Sequence, residues 1–275
     1  DAEFYAIIEL DSLCLEANRI LRGKASNVLD ELLTLNGSSG GARPKIAVSV
    51  SNDKQTLVQG SSADPNYTPW LIKFACGIDD KDIGGIEYIY SLMAKKAGID
   101  MPDTYLFPSK TCIGHFGVKR FDRIGTQKVH VHTAGGLLHA NHRFASLNYT
   151  SLLQLTSALT KDIREVEKMV RLMIFNVQSK NKDDHSKNFS FMLDKNNNWK
   201  LTPAYDLTPS AGINGEQTAM VNAKGLNITT RDFIETAEPF GISKAKVLQI
   251  VEQTNDALSY YPIYAKELGL KPNRR

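Results

Sequence analysis

Residues 181–188 read Asn-Lys-Asp-Asp-His-Ser-Lys-Asn, within the one sustained polar run of the chain, Ser179 to Asn188, set between an apolar helical stretch and the strand-like Phe189-Ser190-Phe191-Met192-Leu193. An Asp followed five positions later by an Asn, in a loop that feeds a hairpin, can divide the labour of phosphoryl transfer. Asp183 would orient an attacking hydroxyl and accept its proton, and the amide oxygen of Asn188 would help hold a magnesium ion on the phosphates. Magnesium takes hard oxygen ligands, keeps several waters and needs only one or two carboxylates. A second ligand is then expected beyond a β-hairpin. Asn196-Asn197-Asn198 supplies the turn, Trp199-Lys200-Leu201 the return strand, and Asp206, 23 residues after Asp183, the carboxylate. An isolated Asp-x-x-x-x-Asn is usually a solvated turn. Its joint occurrence with the hairpin and Asp206 favours the functional reading.

Phosphoryl transfer also needs a phosphate-binding cation. Lys73 lies inside the apolar strand Trp70-Leu71-Ile72-Lys73-Phe74, and Glu87 opens the following helix 14 residues later, spaced to form an ion pair that orients the lysine. Upstream, a turn-rich segment carries Gly37, Ser38, Ser39, Gly40, Gly41, Ala42 and Arg43 and leads to Lys45. Its backbone N–H groups are suited to cradling phosphates. It does not spell a P-loop, because no Gly-Lys-Ser/Thr follows at the required spacing. A rival constellation is His130, His132, His139 and His142, four of the six histidines. His130 and His132 would share a strand face, but Gly135-Gly136 and the short helix after them give no reason for convergence, so a structural or surface role is the preferred reading.

These groups must be positioned by a folded chain, and the composition allows one. The 275 residues are 42% apolar and 23% charged, which excludes disorder, collagen-like repetition and a coiled rod. A net charge of +3 and a pI near 8.6 are too mild to make nucleic acid the default partner. Three widely separated cysteines, Cys14, Cys76 and Cys112, suggest neither a disulfide framework nor a zinc ribbon, and with no export signal or membrane span visible the expected location is the cytoplasm. Periodicity predicts helices over 3–22, 26–35, 84–98, 151–159 and 162–178, and strands over 45–51, 56–59, 70–75, 104–107, 112–121, 189–193 and 199–201. The first 120 residues or so thus read as strand-rich with one strong internal helix, and the remainder as mainly helical.

The strings Ser38-x-Gly-Gly41-Ala42-Arg43-Pro44-Lys45, Asn181-x-Asp-Asp184-His185-x-Lys187-Asn188-Phe189-Ser190 and Pro203-Ala204-Tyr205-Asp206-Leu207 resemble the HipA-type serine/threonine kinases, toxins of bacterial toxin–antitoxin modules. The resemblance implies an α+β, bilobed protein-kinase-like fold: an N-lobe over 1–118, a hinge over 119–123 and a helical C-lobe over 124–275. It implies ATP and Mg2+ as cofactors, Asp183 as catalytic base, Asn188 and Asp206 as metal ligands, and Lys73 as the ATP-phosphate lysine supported by Glu87. His185 and Lys187 fall in the same ATP-binding loop, and main-chain groups around Lys119 and Phe121 would hold adenine. Ser38 matches the autophosphorylated serine of the family's glycine-rich loop, with Ser39 as the adjacent alternative. Only about 36 residues precede that loop, so the chain looks more like the short HipT kinases of three-gene systems. The partners then implied are a HipS-like small protein and a HipB-like helix-turn-helix antitoxin, and the substrate implied is an aminoacyl-tRNA synthetase. The alternative from another class is a kinase-shaped module that binds nucleotide or antitoxin and transfers nothing.

Overall fold

The computed structural model describes residues 4–6, 10–21, 43–60, 62–75, 81–139 and 147–270. The expected helix over 26–35, the loop residues Gly37, Ser38, Ser39, Gly40, Gly41 and Ala42, and also Cys76 and His142 lie outside the described residues. The chain divides into two compact units, one of Asp1–Ile89, Pro102–Lys128 and Ile263–Arg275, the other of Tyr90–Met101 and Val129–Pro262.

The first unit is built on a six-stranded antiparallel sheet in the order β1-β3-β2-β4-β6-β5. Its strands are β1 (Phe4–Ala6), β2 (Lys45–Ser51), β3 (Thr56–Gln59), β4 (Tyr67–Lys73), β5 (Thr104–Phe107) and β6 (His115–Lys119). Side chains alternate across a strand, so on β4 Trp70 and Ile72 enter the core, as does Phe74 just beyond, while Lys73 between them points to the other face. That core also contains Ile46, Val48, Val50, Leu57 and Phe107, with Leu10, Leu13 and Cys14 of helix α1 (Leu10–Leu21).

The single helix expected over 3–22 is corrected here. Phe4–Ala6 pair in register with Thr56–Val58 as an edge strand, and the helix begins at Leu10. Long-range pairing satisfies the backbone of a three-residue apolar stretch that helical periodicity alone assigns to the helix. Asp11 in the first turn fixes α1 by accepting from Ser109 Oγ (2.6 Å) and Lys110 N (2.8 Å), and it lies 2.8 Å from His115 Nε2. Strand β6 is shorter than the expected 112–121, because the preceding residues are taken up by these turn contacts.

A two-stranded ribbon, β7 (Arg123–Ile124) with β8 (Gln127–Lys128), ends the middle segment of this unit. Helix α2 (Ile83–Lys96) starts in the first unit and ends in the second. Gly84 and Gly85 are required for its packing: a Cβ on Gly84 would stand 2.2 Å from the carbonyl oxygen of Gly114, and one on Gly85 would stand 2.9 Å from Ile113.

The second unit holds a three-stranded antiparallel sheet, β11-β10-β9, from β9 (Val131–Thr133), β10 (Ser190–Leu193) and β11 (Trp199–Leu201). Around it run α3 (Ala134–Leu137), α4 (Tyr149–Thr160), α5 (Ile163–Gln178), α6 (Thr230–Ala237), α7 (Lys244–Ser259) and the start of α8 (Tyr261–Glu267). Asn148 Oδ1 accepts from Ser151 N (2.7 Å) to cap α4, and Asp162 Oδ1 accepts from Arg164 N (2.9 Å) to cap α5. The expected apolar face of α5 is the buried one, through Val166, Met169, Val170, Met173 and Ile174. The helix is stopped by Lys180, left-handed at φ 60°, and Asn181 N bonds back to Asn176 O at 2.9 Å. That stop aims the chain into the polar run.

Truncating Ile72, fully buried at the centre of the first sheet, removes transfer energy and leaves a cavity. Ile72→Ala should lower the unfolding free energy by about 2–5 kcal/mol. Urea denaturation should show a lower midpoint at unchanged slope, and an unchanged midpoint would contradict this packing.

Candidate active site

In the first unit, Lys73 ends β4 opposite Phe116 of β6 and Lys45 of β2. Its Nζ lies 2.5 Å from Glu87 Oε1, with the lysine side chain 10% and the glutamate 4% exposed. Arg43 NH1 approaches the other carboxylate oxygen at 3.9 Å, and Lys73 Nζ lies 5.7 Å from the centre of the Phe116 ring. The two glycines at the start of α2 bring Glu87 to this strand, because any side chain there would push the helix away. A pair this buried is costly to break from one side, since the surviving charge is left without its partner. Lys119 ends β6, donating its N–H to Asp103 O at 2.8 Å, and half-buried Phe121 follows in the next turn. Beside them Asp122 accepts from Arg120 Nε (2.9 Å) and Arg123 NH1 (2.6 Å). Burial alone would raise the Asp122 carboxyl, but the two guanidiniums hold it below the usual range.

In the second unit, the polar run is an ordered loop. Asn188 Nδ2 donates to the Asp183 carbonyl (2.8 Å) and Asn188 N to the His185 carbonyl (2.8 Å), folding the two ends of the Asp-x-x-x-x-Asn motif onto each other. Asp183 reaches solvent, yet its carboxyl is pushed up, first by desolvation and also by the negative charge of Asp206, with His185 opposing. Asp206 therefore stands within electrostatic reach of the proposed base, and its backbone is left-handed at φ 57°. The expected hairpin between them is formed, with Phe191 opposite Leu201 and Leu193 opposite Trp199. Lys187 is exposed, and its carbonyl accepts from the Tyr205 hydroxyl at 2.7 Å. Burial raises that phenol to about 12.

Sequence reasoning gave no role to Asp184, which the fold buries completely, at 0% exposure. Its Oδ2 accepts from Tyr149 OH (2.7 Å) and Gln217 Nε2 (2.8 Å), and its Oδ1 from Ala219 N (2.9 Å). The network continues: Asn176 Nδ2 donates to Tyr149 OH (3.0 Å), Asn181 Nδ2 to Asn176 Oδ1 (3.0 Å), and Gln217 Nε2 also to Asn181 O (2.6 Å). Lys182 Nζ is fastened to Gly215 O at 2.7 Å, and its carbonyl accepts from Thr218 N and Oγ1. Every residue from 181 to 184 is thereby anchored or directly followed by an anchored one. Desolvation raises the Asp184 carboxyl to about 6, against the lowering effect of its three donors.

Among the described residues, His130, His132 and His139 do not converge on a metal site. His130 packs edge-on against Trp199 with ring centres 5.5 Å apart, while His132 is exposed, its Nδ1 3.2 Å from Thr133 O. His139 is exposed past α3 at φ 50°. Among the described residues no group of three or more His, Cys, Asp or Glu is arranged to hold a metal ion.

Residues 37–260 match the family of HipA-like C-terminal domains. The chain belongs to that family. A curated relative of this HipA-like chain, "Putative kinase Y4dM" of Sinorhizobium fredii, is 24% identical over 188 residues, covering 62% of the chain and 45% of the relative. Among solved structures, HipA of Shewanella oneidensis MR-1, in complex with HipB and operator DNA, superposes with a TM-score of 0.69 at 16% identity, covering 99% of this chain and 66% of that one. The Helicobacter pylori proinflammatory kinase CtkA gives a TM-score of 0.50 at 13% identity, over 84% of this chain and 94% of that one. The HipA-like chain thus spans less than half the length of the curated relative and about two thirds of the HipA chain, and its fold is kinase-like. No described helix is long and apolar enough to cross a membrane.

Within the HipA-like fold, Lys73, Glu87 and Arg43 gather in one unit, and Asp183, His185, Asn188 and Asp206 in the other. All three partners of Asp184 donate hydrogen bonds, so an amide at this position must turn an N–H toward a donor. Asp184→Asn should cost about 1–3 kcal/mol of stability at pH 7 although it is isosteric and removes a buried charge. Because the folded pKa of about 6 lies above the ordinary aspartate value of 3.8, the folded state binds more protons in that interval, and the stabilising contribution of Asp184 declines as pH rises through it. Melting curves should show wild type exceeding the variant by more at pH 4 than at pH 7. A variant at least as stable as wild type would contradict the network.

Proposed function

We propose that this chain is a protein serine/threonine kinase of the toxin type, transferring the γ-phosphoryl group of ATP in the presence of Mg2+. The observation that supports this most is the loop that clasps Asn188 onto Asp183 with Asp206 close enough to perturb the Asp183 carboxyl. The donor chemistry suits magnesium: an amide and a carboxylate offer hard oxygens, and a divalent cation would relieve the repulsion between the two aspartates. Asn188 and Asp206 would hold the ion, which when bound neutralises charge on the phosphate oxygens. Asp183 orients the acceptor hydroxyl and takes its proton as the new O–P bond forms and the bond from the γ-phosphorus to the leaving ADP oxygen breaks. Lys73, held by Glu87, steadies the phosphates, while Arg43 and Lys45 follow the loop of Gly37, Gly40, Gly41 and Ala42 that would cover them. Adenine would be held by main-chain groups near Lys119 and Phe121, and His185 and Lys187 would belong to the ATP-binding loop.

Phosphorylation of Ser38 or Ser39 would place a dianion among N–H groups otherwise available to ATP, making loop and nucleotide compete. The residue-level resemblance carries the remaining proposals: an aminoacyl-tRNA synthetase as substrate, a HipB-like antitoxin as partner, and a HipS-like small protein with it. The HipA relative, crystallised with HipB and operator DNA, supports the antitoxin assignment.

Asp183→Asn should reduce phosphoryl transfer by roughly 10²–10⁴-fold while the melting temperature stays close to wild type. Phosphoproteomics of cells expressing each form should recover a synthetase phosphopeptide with wild type alone. Undiminished transfer by a folded Asp183→Asn protein would refute the assignment of the base. Wild-type protein made in cells should carry one added phosphate on Ser38 or Ser39 by intact mass and peptide mapping, and its complete absence would refute the loop switch.

A further inference from the structure

Tyr205 immediately precedes Asp206, and its hydroxyl reaches back to the other strand of the hairpin and to the loop before it. It lies 2.7 Å from the carbonyl oxygen of Lys187 and 2.6 Å from Ser190 Oγ. A carbonyl only accepts, so the phenol donates to Lys187 O and the buried Ser190 hydroxyl donates to the phenol oxygen. The Lys187 carbonyl belongs to the peptide unit that carries the Asn188 nitrogen, and Tyr205 is joined through its own peptide to Asp206. One side chain thus bridges the backbone positions of both residues assigned to the metal. The Ser190 carbonyl also accepts from Thr202 N at 2.9 Å, so the anchor of the phenol is itself part of the hairpin ladder. Asp206 needs such a brace, since its left-handed φ of 57° is unfavourable for a residue with a side chain and persists only where surroundings impose it.

We propose that Tyr205 is a positioning residue that sets the separation of Asn188 and Asp206 and so tunes how tightly the chain holds its divalent ion. The inference rests on the kinase reading. The effect of Tyr205 passes through the Lys187–Asn188 peptide. Removing the hydroxyl leaves the aromatic ring in place, while the Lys187 carbonyl and the Ser190 hydroxyl both lose a partner.

The test is direct Mn2+ binding, read by electron paramagnetic resonance on the full chain with a non-hydrolysable ATP analogue, beside steady-state kinetics and melting curves. Tyr205→Phe should weaken Mn2+ binding by about 10–100-fold, the usual effect of losing a group that orients metal ligands. Its kcat should recover as metal is raised, and its KM for ATP at saturating metal should match wild type. Ser190→Ala keeps the bond to Lys187 but loses the contact that orients the phenol, so it should show a smaller loss of the same sign. A merely structural role would lower the melting temperature without moving metal affinity in the folded protein. Wild-type Mn2+ affinity in either folded variant overturns the inference. Wild-type protein that binds no Mn2+ with the nucleotide overturns the kinase reading itself.

Discussion

A carboxylate taken wholly out of water must be supplied with hydrogen-bond donors, and in this chain that requirement organises the second unit. Asp184 draws its donors from Tyr149 at the start of α4 and from the Gln217 side chain and Ala219 backbone of one later segment, two stretches far apart in sequence. Satisfying it fixes where the loop after α5 runs, and the exposed Asp183 beside it is presented by that constraint. The same demand fastens the 215–219 segment to the loop through Lys182 and Asn181. In a low-dielectric interior such a network is stable only when nearly every member is paired, so it favours one arrangement of the loop over many.

The two units meet the same demand, holding a polar group in one orientation, by different means. In the first, a buried ion pair makes Lys73 hold one orientation, and two glycines at the start of α2 let the helix come close enough for Glu87 to complete it. In the second, hydrogen bonds from neutral side chains and backbone do the orienting, and the charge of Asp206 acts on the Asp183 carboxyl. The clearest difference is in what each unit does with its acids: Glu87 is compensated in place by Lys73, whereas the Asp183 carboxyl is pushed up by its surroundings.

Much of this was legible in the sequence because it rests on local pattern. Strand alternation located 45–51, 56–59, 104–107 and 199–201 at their observed bounds, and the asparagine turn located the hairpin. Lys73 and Glu87 were readable as a pair because an ion pair leaves its mark in residue type and spacing. Asp184 was not, because it sits next to Asp183 in a run where both look solvated. Burial of one and exposure of the other is decided by Tyr149 and Gln217, which no local window contains. An adjacent acid pair at the foot of a strongly apolar helix was the only available signal. The N-terminal edge strand was hidden for the same reason, since its partner Thr56–Gln59 lies some fifty residues away. Histidine spacing misleads in the opposite direction: His130 and His132 are close in sequence, but both are exposed, His130 resting edge-on against Trp199.

The central claim is that these residues transfer phosphate rather than merely bind a nucleotide. The most direct measurement is a single-turnover assay with the wild-type chain, γ-labelled ATP and Mg2+ against a whole bacterial proteome, with nucleotide binding followed in the same samples. The account predicts Mg2+-dependent label on serine or threonine of a discrete protein. Saturable nucleotide binding with no label on any protein would contradict it, and would leave a kinase-shaped binding module in its place.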